Sequence, residues 1–138
     1  MKGLFIDADA ELAAIFRRVG RPGDPQLDMH SQREVAPEDM PAVLAGYDFL
    51  VNDHLWLPTD RMAACDKLKH IIFLGTGARS YMNPEELAEL GIEVHLIKGY
   101  GDTAVAECAI ALMWAAARGI AAMDREMRAG NWLREDGM

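Results

Sequence analysis

The chain has 138 residues, 51% of them hydrophobic and 26% charged, which suits one soluble domain with a real core and is too short for two complete ones. Fourteen Lys and Arg stand against 22 Asp and Glu, for a formal charge of −8, and only Arg17 and Arg18 are adjacent. This balance argues against a nucleic-acid partner and leaves an anionic ligand to be held by local backbone groups.

Along the chain, short apolar runs alternate with helical patterns, the signature of βα units on a parallel sheet. A first strand is predicted at 3–7. An amphipathic helix follows at 10–19, with Leu12, Ile15, Phe16 and Val19 on one face. A loop carrying Pro22, Gly23 and Pro25 leads to a short second strand at 27–32. A helix is predicted at 37–45, with Met40, Val43 and Leu44 in register, then a buried third strand at 48–52 and a short helix at 58–65. The fourth strand, 70–74, runs into Gly75-Thr76-Gly77. Asn83-Pro84-Glu85-Glu86 is a helix start, with an Asn cap, Pro at the first position and acids in the first turn; Gly91 closes that helix. The fifth strand is predicted at 92–97. A helix from 104 to 118 is apolar nearly all round, and a second helix reaches 129.

These elements predict an α/β fold: a flavodoxin-like, three-layer parallel sheet of about five strands over residues 1–102, followed by two helices in 103–138. Such sheets bind ligands outside the carboxyl ends of their strands. Cys65 and Cys108 form no CxxC pair and are expected to be free, partly buried thiols. The N-terminus turns acidic at Asp7, too soon for a signal peptide, and the uncharged run at 108–117 is too short for a bilayer. A cytoplasmic protein without membrane contact is the expectation.

The loop Gly75-Thr76-Gly77-Ala78-Arg79-Ser80 nearly spells the dinucleotide fingerprint, with Ser80 where the third glycine would stand. That fingerprint needs a helix opening at the glycines, so that its N–H groups face the pyrophosphate. Here the helix waits until Asn83-Pro84, Pro84 has no N–H, and the next strand ends Leu96-Ile97-Lys98 without an acid for the ribose. Besides the dinucleotide reading, the loop is open to two others: a tight strand-to-loop turn, or a cradle of bare backbone amides for a small anion such as a carboxylate. Asp102 or Thr103 is expected to cap the long helix. Asn52-Asp53-His54 is a polar turn or the border of a cleft, and Arg79 a solvated loop cation. His30, His54, His70 and His95 are dispersed, none at ligand spacing with a Cys or another His, so no metal site is expected.

From residue 67 to 132 the order of signals resembles the D-isomer-specific 2-hydroxyacid dehydrogenases. The residues that carry the resemblance are Leu68-Lys69-His70-Ile71-Ile72, Gly75-Thr76-Gly77, Gly91-Ile92-Glu93-Val94, Thr103-Ala104-Val105-Ala106-Glu107, and Arg128-Ala129-Gly130-Asn131-Trp132, the last similar to the family's RAGxW segment. Arg79-Ser80 replace the Asp-Asn pair usual there. The resemblance implies a flavodoxin-like substrate domain interrupted by an inserted domain that binds NAD or NADP. It implies that Gly75, Thr76 and Gly77 bind the carboxylate of a small 2-keto or 2-hydroxy acid through backbone N–H groups. The helix from Val105 would pass towards the cofactor domain, with Val105 near the nicotinamide. The family's GxGxxG loop and its catalytic Arg, Glu and His would lie downstream, so these 138 residues alone are expected to be inactive. A homo-oligomer, such as a dimer, is implied too. The alternative is a stand-alone flavodoxin-like module that binds a small anion or a partner and does no chemistry.

Overall fold

The computed structural model of the chain describes residues 1–30 and 34–132. The chain divides into two compact units, Met1–Lys98 and Gly99–Met138. The first is a five-stranded sheet in the order β2-β1-β3-β4-β5, with every neighbouring pair parallel. The strands are β1 (Lys2–Phe5), β2 (Gln26–Met29), β3 (Phe49–Asn52), β4 (His70–Phe73) and β5 (Glu93–Leu96), each within a residue or a few of its predicted place. The order is that of a flavodoxin-like doubly wound sheet.

Strand alternation divides the apolar side chains between two faces. Leu4, Leu50 and Ile71 point to the main core, where they meet Met40, Met62 and Leu87 from the helices α2 (Met40–Val43), α3 (Thr59–Met62) and α4 (Pro84–Glu89). Phe5, Phe49 and Val51 point the other way, against Leu12 and Phe16 of α1 (Ala10–Val19). With helices on both faces, the unit has three layers. Asp9 caps α1 by accepting from the Leu12 amide at 2.8 Å, and Asn83 caps α4 by accepting from the Glu86 amide at 3.3 Å. Gly91 ends α4 at φ +74, a backbone conformation that suits glycine. A different constraint acts at Gly3, where an added Cβ would lie 2.1 Å from the Phe49 ring. The ring is seated on bare backbone.

The helix predicted at 37–45 is instead a 3₁₀ turn, Pro37–Asp39, followed by α2. Pro41 supplies the reason: with no N–H it cannot bond back to the Pro37 carbonyl, so the first turn tightens to the Met40 N–H to Pro37 O bond. Cys65 is buried, as expected; burial first, and then the charge of Asp66, pushes its thiol pKa up. Cys108 corrects the expectation of a partly buried thiol: it is free but exposed.

The second unit holds α5 (Asp102–Ala117) and α6 (Ile120–Arg128), bent by 61° at Gly119, whose φ of +61 breaks the run. No residue of either helix is buried. The expected side-chain cap on α5 is absent. The helix starts earlier than predicted, so Gly101 is the cap position and Asp102 is already its first helical residue, where its charge suits the macrodipole but makes no cap bond. Along α6, Arg128 donates to Asp124 one turn back, at 2.9 and 3.0 Å. Among the described residues no single helix is long and apolar enough to cross a membrane.

Candidate functional site

Because β1, β3 and β4 are adjacent and parallel, their carboxyl ends deliver three segments to one edge of the sheet: Asp7, Asn52-Asp53-His54, and Gly75-Thr76-Gly77. Asp7 is buried, and its carboxylate organises the edge. It accepts from the amides of Asp53 at 3.0 and 3.2 Å, His54 at 2.7 Å and Leu55 at 2.9 Å. A buried carboxyl group that accepts from three backbone amides is fully engaged by the fold. It wraps the turn after β3 around the end of β1.

Asn52 is fully buried, and its amide donates to the Leu55 carbonyl at 3.0 Å. The segment 52–54 is therefore a polar turn held from within, and it also borders the edge: His54 stays exposed. The His54 ring meets Tyr81 edge-on at 5.2 Å, Tyr81 meets Phe73 at 5.4 Å, and His54 Nδ1 lies 2.7 Å from Asp53 Oδ2. This aromatic step connects the turn after β3 to the end of β4.

The loop after β4 begins buried at Gly75 and becomes exposed at Thr76 and Gly77. The Gly75 carbonyl accepts from the Ile97 amide at 3.1 Å, which fixes the start of the loop against the end of β5. The two glycines differ in cause. A Cβ at Gly75 would come within 2.8 Å of the Phe73 ring, so packing excludes a side chain there. At Gly77 a Cβ would meet nothing within 4 Å, and its φ of −105 is open to any residue. The amides of Thr76, Gly77 and Ala78 donate to no protein acceptor among the described residues. The unpaired donors of the exposed residues Thr76 and Gly77, the latter a glycine that the fold itself does not require, form a place where a small anion can approach backbone.

The loop then enters a 3₁₀ turn, Ala78–Ser80, and the next α-helix opens only at Pro84. Arg79 is solvated, as expected, and is also paired. It donates both terminal nitrogens to the Glu85 carboxylate, Nη1 to Oε2 at 2.7 Å. The hydrogen bond to Glu85 raises the Arg79 pKa, and the same bond lowers that of Glu85. Both groups are exposed, so the pair orients the loop more than it stabilises the fold.

Val105 lies in the first turns of α5, its amide bonded to the Gly101 carbonyl at 2.9 Å and its side chain exposed. Glu107 is exposed as well. Sequence reasoning missed Asp7 and Tyr81. Asp7 carries a faint signal: it closes an apolar strand, while the capping of α1 falls to Asp9.

No family model matches this chain, and no curated protein matches it. Solved structures do. A D-lactate dehydrogenase from Treponema pallidum aligns over 99% of this chain and 41% of its own, at 22% identity and a TM-score of 0.74. A D-2-hydroxyisocaproate dehydrogenase aligns over 95% of this chain and 40% of its own, at 17% identity and a TM-score of 0.70. The apo D-lactate dehydrogenase of Escherichia coli aligns over 99% of this chain and 43% of its own, at 18% identity and a TM-score of 0.64. The chain thus spans about two fifths of the length of the dehydrogenases it matches. Over that part, it shares their fold.

Proposed function

We propose that this chain is the substrate-binding part of an NAD(P)-dependent oxidoreductase that reduces a small 2-keto acid to a D-2-hydroxy acid by hydride transfer. The observation that carries the reading is the row of unpaired amides at Thr76, Gly77 and Ala78, on the carboxyl edge of a sheet shared with D-lactate dehydrogenases. In this role Gly75 fixes the loop, and the exposed amides of Thr76 and Gly77 receive the substrate carboxylate.

The residues present do not fit a dinucleotide. Its pyrophosphate needs a helix that opens at the glycines, whereas here a three-residue 3₁₀ turn follows and Pro84 begins the next helix without an N–H. The cofactor and the acid–base residues are assigned to the portion of those dehydrogenases that the chain does not cover. Val105 then contributes an exposed apolar surface for the nicotinamide ring. Assembly as a homo-oligomer and a cytoplasmic location belong to the same proposal.

Two experiments test it. The 138-residue chain is titrated with pyruvate and with NADH while the backbone amides are followed by NMR; pyruvate should move Thr76, Gly77 and Ala78, and NADH should bind weakly or not at all. In a chain completed to a full dehydrogenase, Gly77→Pro should raise the KM for keto acid roughly 10- to 100-fold, the loss of one charge-assisted bond, and leave that for NADH nearly unchanged. Equal losses for both ligands would overturn the carboxylate role. A second reading, a small-anion-binding module without catalysis, draws on the core that Met1–Lys98 completes by itself. It requires the same amide response to pyruvate, with no turnover in the completed chain.

A further inference from the structure

At the opposite end of β4 and β5 from the glycine loop, the strand register makes a cluster that spacing along the chain does not reveal. His70 opens β4 and Glu93 opens β5, and the two are register partners; His95 pairs with Ile72. Ile71, Phe73 and Val94 turn to the main core, so His70, Glu93 and His95 share the other face. His70 Nδ1 lies 3.1 Å from His95 Nε2, and each of these nitrogens lies 3.7 Å from the same Glu93 oxygen, Oε2. We propose that His70, Glu93 and His95 form a zinc-binding site on the β4–β5 face.

Three donor atoms spaced in this way have a common point about 2 Å from each, the length of a zinc–nitrogen or zinc–oxygen bond. Around a tetrahedral ion with such bonds, ligand atoms sit about 3.4 Å apart, close to the three separations found here. Closing the site therefore takes shifts of a few tenths of an ångström in side chains already on adjacent strands. Two imidazoles and one carboxylate suit zinc; calcium and magnesium prefer all-oxygen shells. The three side chains are 36%, 69% and 42% exposed in chain order, which leaves a fourth position open to water. Both histidines line a groove of about 1010 Å³ whose lining also includes Ile72 and Leu74, so apolar surface would flank the ion. A net charge of −8 favours dication approach. The bound ion ties edge strand β5 to β4, away from the proposed substrate loop.

The test is zinc titration of the metal-free 138-residue chain against a chromophoric chelator, with cobalt(II) as an optical probe of geometry. One ion per chain is expected, in the micromolar range or tighter, with the intense visible bands of tetrahedral cobalt. His95→Ala should weaken zinc more than about 100-fold, beyond the loss of an outer-sphere partner, and Glu93→Gln about 10-fold. His54→Ala and Cys108→Ser should leave affinity unchanged. Saturating zinc should raise Tm by roughly 4 °C or more in the parent and not in His95→Ala, both of which should give the same circular dichroism spectrum. Absence of saturable binding, affinity retained in His95→Ala, or affinity lost in Cys108→Ser overturns the assignment.

Discussion

The two units handle apolar residues in opposite ways. In Met1–Lys98, Leu4, Leu50, Leu57, Ile71 and Leu87 are at most 3% exposed. In Gly99–Met138, Ile110, Leu112, Met113 and Trp114 on α5 are each more than half exposed. The contrast follows from how each element satisfies its backbone. A strand must pair with another strand, and pairing brings side chains into common faces that close over a core. A helix satisfies its own N–H and C=O groups, so α5 can form whether or not anything covers it. Its apolar circumference stays exposed. Burying a side chain of this kind contributes about 1.5–3 kcal/mol, a strong incentive to associate.

The largest expected effect would break the comparison if it failed. Leu50→Ala, in the central strand β3, should cost about 2–5 kcal/mol in a denaturant titration at concentrations dilute enough to keep the chain monomeric, while Leu112→Ala on α5 should stay within about 0.5 kcal/mol. Similar costs would mean that α5 is buried in solution. Next comes Asp7→Ala, which strips the amides of Asp53, His54 and Leu55 of their shared acceptor. Its expected cost is about 2 kcal/mol, with hydrogen exchange accelerated at those three amides in particular. Uniform acceleration across the sheet would argue that Asp7 supports the whole core and not one turn.

For the proposed homo-oligomer, Leu112→Glu should change unfolding of the sheet by less than about 0.5 kcal/mol and yet leave a concentration-independent monomer mass in light scattering. A parent chain that is already monomeric would show that α5 needs no partner. The smallest effect concerns the edge strand β2. Its Asp28 accepts from Gln26 and Tyr47 at 3.0 Å and pairs with Lys2 at 2.9 Å. The bond from Gln26 first, then those from Lys2 and Tyr47, lower its pKa from 3.8 to about 2. A lowered carboxyl pKa contributes stability that is complete above the unfolded value and disappears as pH falls through the folded one. The contribution should fade between about pH 4 and pH 2, and Asp28→Asn should flatten the acid-stability curve in that window. An unchanged curve would detach Asp28 from the pairing of β1 and β2.

What was legible in the sequence is what depends on neighbours along the chain. Periodicity places α1 at Ala10–Val19, and the Asn83-Pro84 start places α4. Apolar runs place all five strands, and their alternation with helices yields the parallel sheet. The glycine loop was visible too, but its two glycines could not be told apart without the Phe73 ring beside Gly75. What escaped is non-local. Asp7 matters because amides of residues 53–55 fold back onto it, and His70 meets His95 through the register of β4 on β5. The exposed Cys108 belongs here as well, since an all-apolar helix reads the same from sequence whether covered or bare.

The seat of the Phe49 ring on Gly3 has a consequence for descent. The two positions are sterically coupled: a carbon added at position 3 needs the Phe49 ring to shift or shrink, because the ring already occupies the space a Cβ would take. The order of steps is constrained as well. A smaller residue at 49 leaves a gap that the fold can carry for a time, whereas a larger residue at 3 meets the ring at once and forces it to move. Lineages of this chain should therefore contain a shrunken position 49 above an unchanged glycine, and no alanine at position 3 above an intact phenylalanine.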